Sequence, residues 1–167
     1  MAQQSGEEIR VLDEVVLSRA STLQACEEFH ARYPNHQAGI VIYGDASGQR
    51  LQTAGTTDCQ IIKEFFRRMA YQNVKFRVPP SNPSVRERIA LVNAKLFSAD
   101  EEVRLLVHPK CKGLVADFEE VTFKAETSVI DKERDPKRTH LSDALGYLIW
   151  QEYRPHATYG EQGRRLI

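Results

Sequence analysis

With 167 residues, 41% of them apolar and 28% charged, the chain has the make-up of one globular domain with a core of its own. Lys+Arg and Asp+Glu both number 23, so no overall field draws it to nucleic acid, and such binding has to come from a local patch. Three cysteines (Cys26, Cys59, Cys111) without a CxxC pair argue against a disulfide framework or a zinc site and fit a reducing cytosol, and no apolar run reaches the ~18 residues of a membrane span.

The first eight residues are polar and do not read as a signal peptide. Residues 9–17 read as a strand: Ile9, Val11, Val15 and Leu17 share one face, which Asp13 interrupts. Ser21 and Gln24 form a capping box that opens a helix with Leu23, Cys26, Phe29 and Tyr33 on its inner face, and Pro34-Asn35 stops it. Ile40-Val41-Ile42-Tyr43 is apolar on both sides, the pattern of a central strand covered by helices. Residues 44–56 are polar and glycine-containing, a loop able to move. Thr57 and Gln60 cap a second helix that buries Ile61, Ile62, Phe65, Phe66 and Met69 and turns Lys63, Arg67 and Arg68 outward.

Residues 74–78 form a strand ended by Pro79-Pro80. Ser84 and Glu87 open a third helix, burying Val85, Ile89, Val92 and Leu96. Residues 103–107 are a strand ended by Pro109, and Leu114, Phe118 and Val121 follow with helical spacing. Residues 121–132 read as a hairpin. Asp135-Pro136 breaks the chain, Thr139 caps a last helix through about Tyr153, and residues 154–167 form a loose tail. Strands alternating with helices predict an α/β domain over residues 1–153. No G-x-x-x-x-G-K-[ST] motif is present, so the chain carries no phosphate loop.

Two acids stand out. Asp45 ends the most apolar strand, where ligands bind in α/β sheets; as a plain alternative, Asp-Ala-Ser-Gly is common turn chemistry. Asp143 shares a largely apolar helix stripe with Gly146, Tyr147 and Trp150, so its carboxylate faces inward and needs a charge partner or a metal. Its plain alternative is a first-turn acid complementing the helix dipole. His140 lies three residues earlier on the same face. Alone it is a surface or capping histidine; beside Asp143 it is a candidate ligand.

Lys132, Arg134, Lys137 and Arg138 precede this helix and suit a phosphate backbone, but Asp131, Glu133 and Asp135 interleave with them, as in any solvated charged loop. Arg67, Arg68, Lys75, Arg77, Arg86 and Arg88 supply a second basic surface if the fold brings them together. Asp13 is expected to pair with a nearby cation, and His30, His36, His108 and His156 show no ligand spacing.

The segment Asp135-Pro136-Lys137-Arg138-Thr139-His140-Leu141-Ser142-Asp143-Ala144-Leu145-Gly146-Tyr147-Leu148 closely resembles the end of the nuclease domain of tailed-bacteriophage large terminase subunits. Val11-Leu12-Asp13-Glu14 and Gly44-Asp45-Ala46-Ser47-Gly48 occur in that family's order, and the resemblance spans residues 9–153. It implies an RNase H-like fold, a mixed central sheet flanked by helices. It also implies a Mg²⁺- or Mn²⁺-dependent endonuclease that cuts concatemeric viral DNA during genome packaging. By the same resemblance Asp45 matches the second metal-binding acid and Asp143 the acid of the final helix. His140 matches a histidine that adds a ligand in some members. The implied partners are double-stranded DNA, the terminase ATPase domain, the small terminase subunit and the portal, with no membrane, in the cytoplasm of a bacterial host.

The family's first acid lies on an opening strand that this chain starts too late to supply in full, and the ATPase motor is absent. Either the chain is a fragment or its site is incomplete; in both cases weak cleavage and no DNA translocation are expected. The competing expectations are an RNase H-like module that only binds DNA or the packaging motor, and another RNase H-like nuclease such as a junction resolvase or ribonuclease H.

Overall fold

The computed structural model describes residues 1–51, 55–120 and 140–155. The polar opening residues form one arm of a hairpin, which their composition did not announce. Strand β1 (Ala2–Ser5) pairs antiparallel with β2 (Glu8–Val11), Ser5 opposite Glu8. The two-residue turn works because Gly6 adopts φ +59°, a conformation that only glycine takes without a Cβ penalty. The other edge of β2 pairs parallel with β5 (Leu105–Val107), and Ile9 and Val11 point into the core as their alternation predicts.

The strand expected over residues 9–17 stops at Val11. Two acids pull the chain out of the sheet. Asp13 accepts a hydrogen bond from the Tyr33 hydroxyl at 2.6 Å and one from the Glu14 N–H at 2.9 Å, and it ion-pairs with Lys110 and Arg32 at 3.4 and 3.6 Å. Glu14 receives the N–H groups of Gly113 and Leu114 at 2.8 and 2.9 Å and so caps helix α4 (Lys112–Glu120). Charged hydrogen bonds outweigh ladder bonds here. Leu17, expected on the buried face, is left exposed.

Asp13 has a measurable signature. The hydrogen bond from Tyr33 is the largest influence holding its carboxyl down to about 2, from an ordinary 3.8. Its stabilising contribution is therefore complete above pH ~3.8 and lost as pH falls toward ~2. Tyr33→Phe is expected to move the Asp13 titration upward and to flatten that stretch of the acid-unfolding curve. Carbon NMR of the carboxyl reads this directly, and an unmoved titration would contradict the assignment.

Helices α1 (Thr22–Arg32) and α2 (Asp58–Arg68) start at the predicted capping boxes of Ser21 and Thr57. They pack Cys26, Phe29, Ile62, Phe65 and Phe66 against β3 (Ile40–Tyr43) and β4 (Val74–Arg77). The two strands pair in parallel, Ile40 opposite Val74 and Tyr43 opposite Arg77. Edge-to-face rings tie the layer together, with Phe66 and Tyr71 centroids 5.0 Å apart. The second face of strand β3 is covered only in part, at Tyr43. Val41 is 39% exposed, and Leu23 and Met69, also expected inside, lie at the surface. Short helices over a two-stranded sheet cover less than the sequence pattern alone implied.

The second core lies under β2 and β5. Ile9, Val11 and Leu105 meet Val92 of α3 (Val85–Leu96), Leu114 of α4, and Leu145 and Ile149 of α5 (His140–Tyr153). Fully burying an aliphatic side chain such as Ile9 or Ile149 contributes about 1.5–3 kcal/mol each. Val85, expected in this core, is exposed, while Arg88 and Lys95 of α3 lie inside.

The described residues thus build a mixed α/β fold of five strands and five α-helices, with the strands in a three-stranded and a two-stranded sheet instead of one central sheet. No described helix is long and apolar enough to cross a membrane. The expected hairpin at 121–132, the Thr139 cap and the tail beyond Pro155 lie outside the described residues.

A candidate acidic site where strand β3 meets helix α5

Strand β3 ends in Gly44, and Asp45 then caps a short 3-10 turn, Ala46–Gln49. Its Oδ1 accepts hydrogen bonds from Ser47 N–H at 2.9 Å, Ser47 Oγ at 2.5 Å and Gly48 N–H at 3.2 Å. The turn is tied further by the Ala46 N–H, which donates to Asn82 Oδ1 at 2.7 Å. This half of the predicted loop is therefore pinned, and the turn chemistry expected as the plain alternative for Asp45 is present.

Helix α5 is strapped across the ends of β3 and β4. Glu152 accepts the Tyr43 hydroxyl at 2.6 Å and ion-pairs with Arg77. Burial, and then the Glu152 carboxylate, push the Tyr43 hydroxyl above its ordinary pKa. At the other end of the helix, Asp117 of α4, which is buried, accepts the Ser142 N–H at 3.0 Å. Asp117 thus satisfies one of the open donors of the first turn, a role for which no sequence signal was seen.

Asp143 projects from that first turn onto Arg88. The Arg88 Nη1 donates to Asp143 Oδ1 at 2.8 Å and approaches the Asp143 carbonyl oxygen at 3.3 Å. The guanidinium carbon lies 4.3 Å from the centre of the Tyr147 ring. Gly146 leaves the space: a Cβ there would stand 3.3 Å from Arg88 Nη1. Asp143, Gly146 and Tyr147 therefore form a seat for one buried cation. Arg88 is one of the six cations that would supply a second basic surface if the fold gathered them; instead it is 5% exposed. The signal that would have found it is the stripe Arg88, Val92, Lys95, whose spacing marks one face of α3.

The two acids bear on a common group. Burial is the main cause that raises the Tyr147 hydroxyl; Arg88 opposes it, and the charges of Asp45 and Asp143 both add to it.

His140 opens α5 and is exposed. Lys137 and Arg138 lie outside the described residues. Asp13 is paired with cations as expected. His30 serves structure, its Nδ1 2.9 Å from the Tyr71 hydroxyl.

The donor chemistry of Asp45 and Asp143 fits a hard divalent cation, since carboxylate oxygens suit Mg²⁺ and Mn²⁺. Among the described residues no three His, Cys, Asp or Glu side chains gather closely enough to form a complete cage. Further donors would have to come from elsewhere, substrate phosphate oxygens included.

Set against protein-family models, curated proteins and solved structures, the chain matches none.

Proposed function

We propose that this chain is a metal-dependent DNA endonuclease domain with an RNase H-like fold, of the type that cuts concatemeric DNA in viral genome packaging. The observation that carries the reading is that helix α5, which bears Asp143, is tied across the end of strand β3, which leads into Asp45. The similarity of residues 135–148 to the terminase nuclease segment supplies the substrate class. On this reading Asp45 and Asp143 hold Mg²⁺ or Mn²⁺, and His140 ligates or orients beside them. The chemistry that bound ions would supply there is activation of a water and stabilisation of the leaving 3′-oxygen. Lys137 and Arg138 contact backbone phosphates, which position the duplex without reading its sequence. The domain would work with an ATPase motor, a small terminase subunit and a portal in the bacterial cytoplasm.

A specific observation favours a second reading, a binding module without catalysis. Asp143 already has a cationic partner in Arg88, and that role needs no metal.

The deciding measurement is nicking of supercoiled plasmid with Mn²⁺, Mg²⁺ or EDTA. The nuclease reading expects cleavage with either metal, none with EDTA, and loss of cleavage in Asp45→Ala. Four-way junctions and RNA–DNA hybrids run beside plain duplex separate the related nucleases. DNA affinity that falls with salt, ignores Mn²⁺ and comes without cleavage would establish the binding module instead.

A further inference from the structure

We infer that Arg88 is a positioning residue that sets how tightly Asp143 takes a divalent cation, because guanidinium and metal compete for the charge of one carboxylate. The inference rests on the metal-site reading of Asp45 and Asp143.

Four observations carry it. Arg88 is almost wholly buried, and a buried cation is costly unless paired. Its charged partner is Asp143, at 2.8 Å. The guanidinium is packed into place by Tyr147 and by the space above Gly146. Its Nε is buried without a hydrogen-bond partner, so the fold accepts an incompletely satisfied guanidinium there.

A neighbouring pair shows what a plain structural clasp looks like on the same two helices. Lys95 of α3 lies 3.4 Å from the centre of the Tyr153 ring on α5 and pairs with Glu7 at 2.8 Å. Glu7 is a hairpin-turn residue and largely exposed. The Arg88 pair differs in burial and in place: the Asp143 side chain is 26% exposed against 68% for Glu7, and it stands on the helix that is tied to the end of β3, just before Asp45.

Arginine does not lose its proton at any working pH, so it cannot step aside by deprotonation. A cation approaching Asp143 therefore meets a fixed positive charge. That charge keeps the carboxylate aimed when no metal is present, and it weakens metal binding when metal arrives.

Calorimetric titration of Mn²⁺ into the full chain, without DNA, tests this. Arg88→Gln is expected to bind Mn²⁺ about tenfold more tightly, since a neutral amide no longer repels the ion. Arg88→Lys keeps the charge and should bind as the wild type does. Nicking should show the converse split: kcat falls in Arg88→Gln although the metal binds better, because the carboxylate is no longer aimed. Gly146→Ala provides a milder perturbation should Arg88→Gln fail to fold. Its methyl crowds the guanidinium, which must give by a few tenths of an ångström, and should tighten Mn²⁺ binding a few-fold, an effect that vanishes in the Arg88→Gln background. Unchanged or weaker Mn²⁺ affinity in both Arg88→Gln and Gly146→Ala overturns the inference and leaves the nuclease reading intact. A wild-type chain that takes up no Mn²⁺ overturns both.

Discussion

Asp143→Ala is expected to lower the unfolding free energy by about 3 kcal/mol, the largest stability effect of any single substitution around the site. The reason is the residue left behind. Arg88 keeps its buried position, loses its counter-ion, and already has one N–H without a partner. Breaking a buried pair in this way costs about 3–5 kcal/mol, and the lower end applies because the Asp143 side chain is 26% exposed. A domain of this size should lose roughly 10 °C in Tm. Asp143→Asn keeps an acceptor facing Nη1 and should cost clearly less. Removing both partners in Asp143→Ala/Arg88→Met should recover much of the loss, since a well-packed apolar pair needs no counter-ion. Urea unfolding of the four proteins measures this. A single Asp143→Ala penalty below about 1 kcal/mol would show that the pair does not stabilise the fold. The practical consequence is that lost nicking in Asp143→Ala has two explanations, whereas in folded Asp143→Asn it has one.

Asp45→Ala is expected to divide these effects differently. Nicking with Mn²⁺ should fall by about a thousandfold, the scale of losing an electrostatic anchor of the transition state. Stability should fall by only about 1 kcal/mol, since what disappears in the fold is the cap of a single short turn. Asp45→Asn preserves most of that cap and should lose activity just as fully. Steady-state nicking rates beside thermal melts of both variants give the answer. Retention of wild-type cleavage by folded Asp45→Asn would remove Asp45 from the chemistry and leave it a turn residue.

The helix starts were legible because their causes are local. Ser21 with Gln24 and Thr57 with Gln60 satisfy open N–H groups within one turn, so four residues of sequence state the outcome. The last helix likewise runs from His140 to Tyr153, close to where its pattern ends. Strand positions were recovered with ends that shifted. Residues 9–17 alternate well enough to read as one strand, yet Asp13 and Glu14 find partners in Tyr33, Lys110 and the first turn of α4, which no local pattern reveals. The first hairpin was missed because its strand is exposed throughout and so carries no apolar alternation to read.

For the candidate site, the sequence by itself determined which groups bear charge and where each sits on its own element. Asp45 stands at a strand end, and Asp143 stands in the first turn of a helix facing inward. What only the tertiary structure decided is what those carboxylates face. Arg88 is 55 positions from Asp143, and its place on a basic surface or in a buried seat depends on how α3 crosses α5 and on the missing side chain at Gly146. Hydrogen bonds within one turn are written in neighbouring letters. The energy of a buried charge depends on what surrounds it in space, and that is fixed only when distant helices pack.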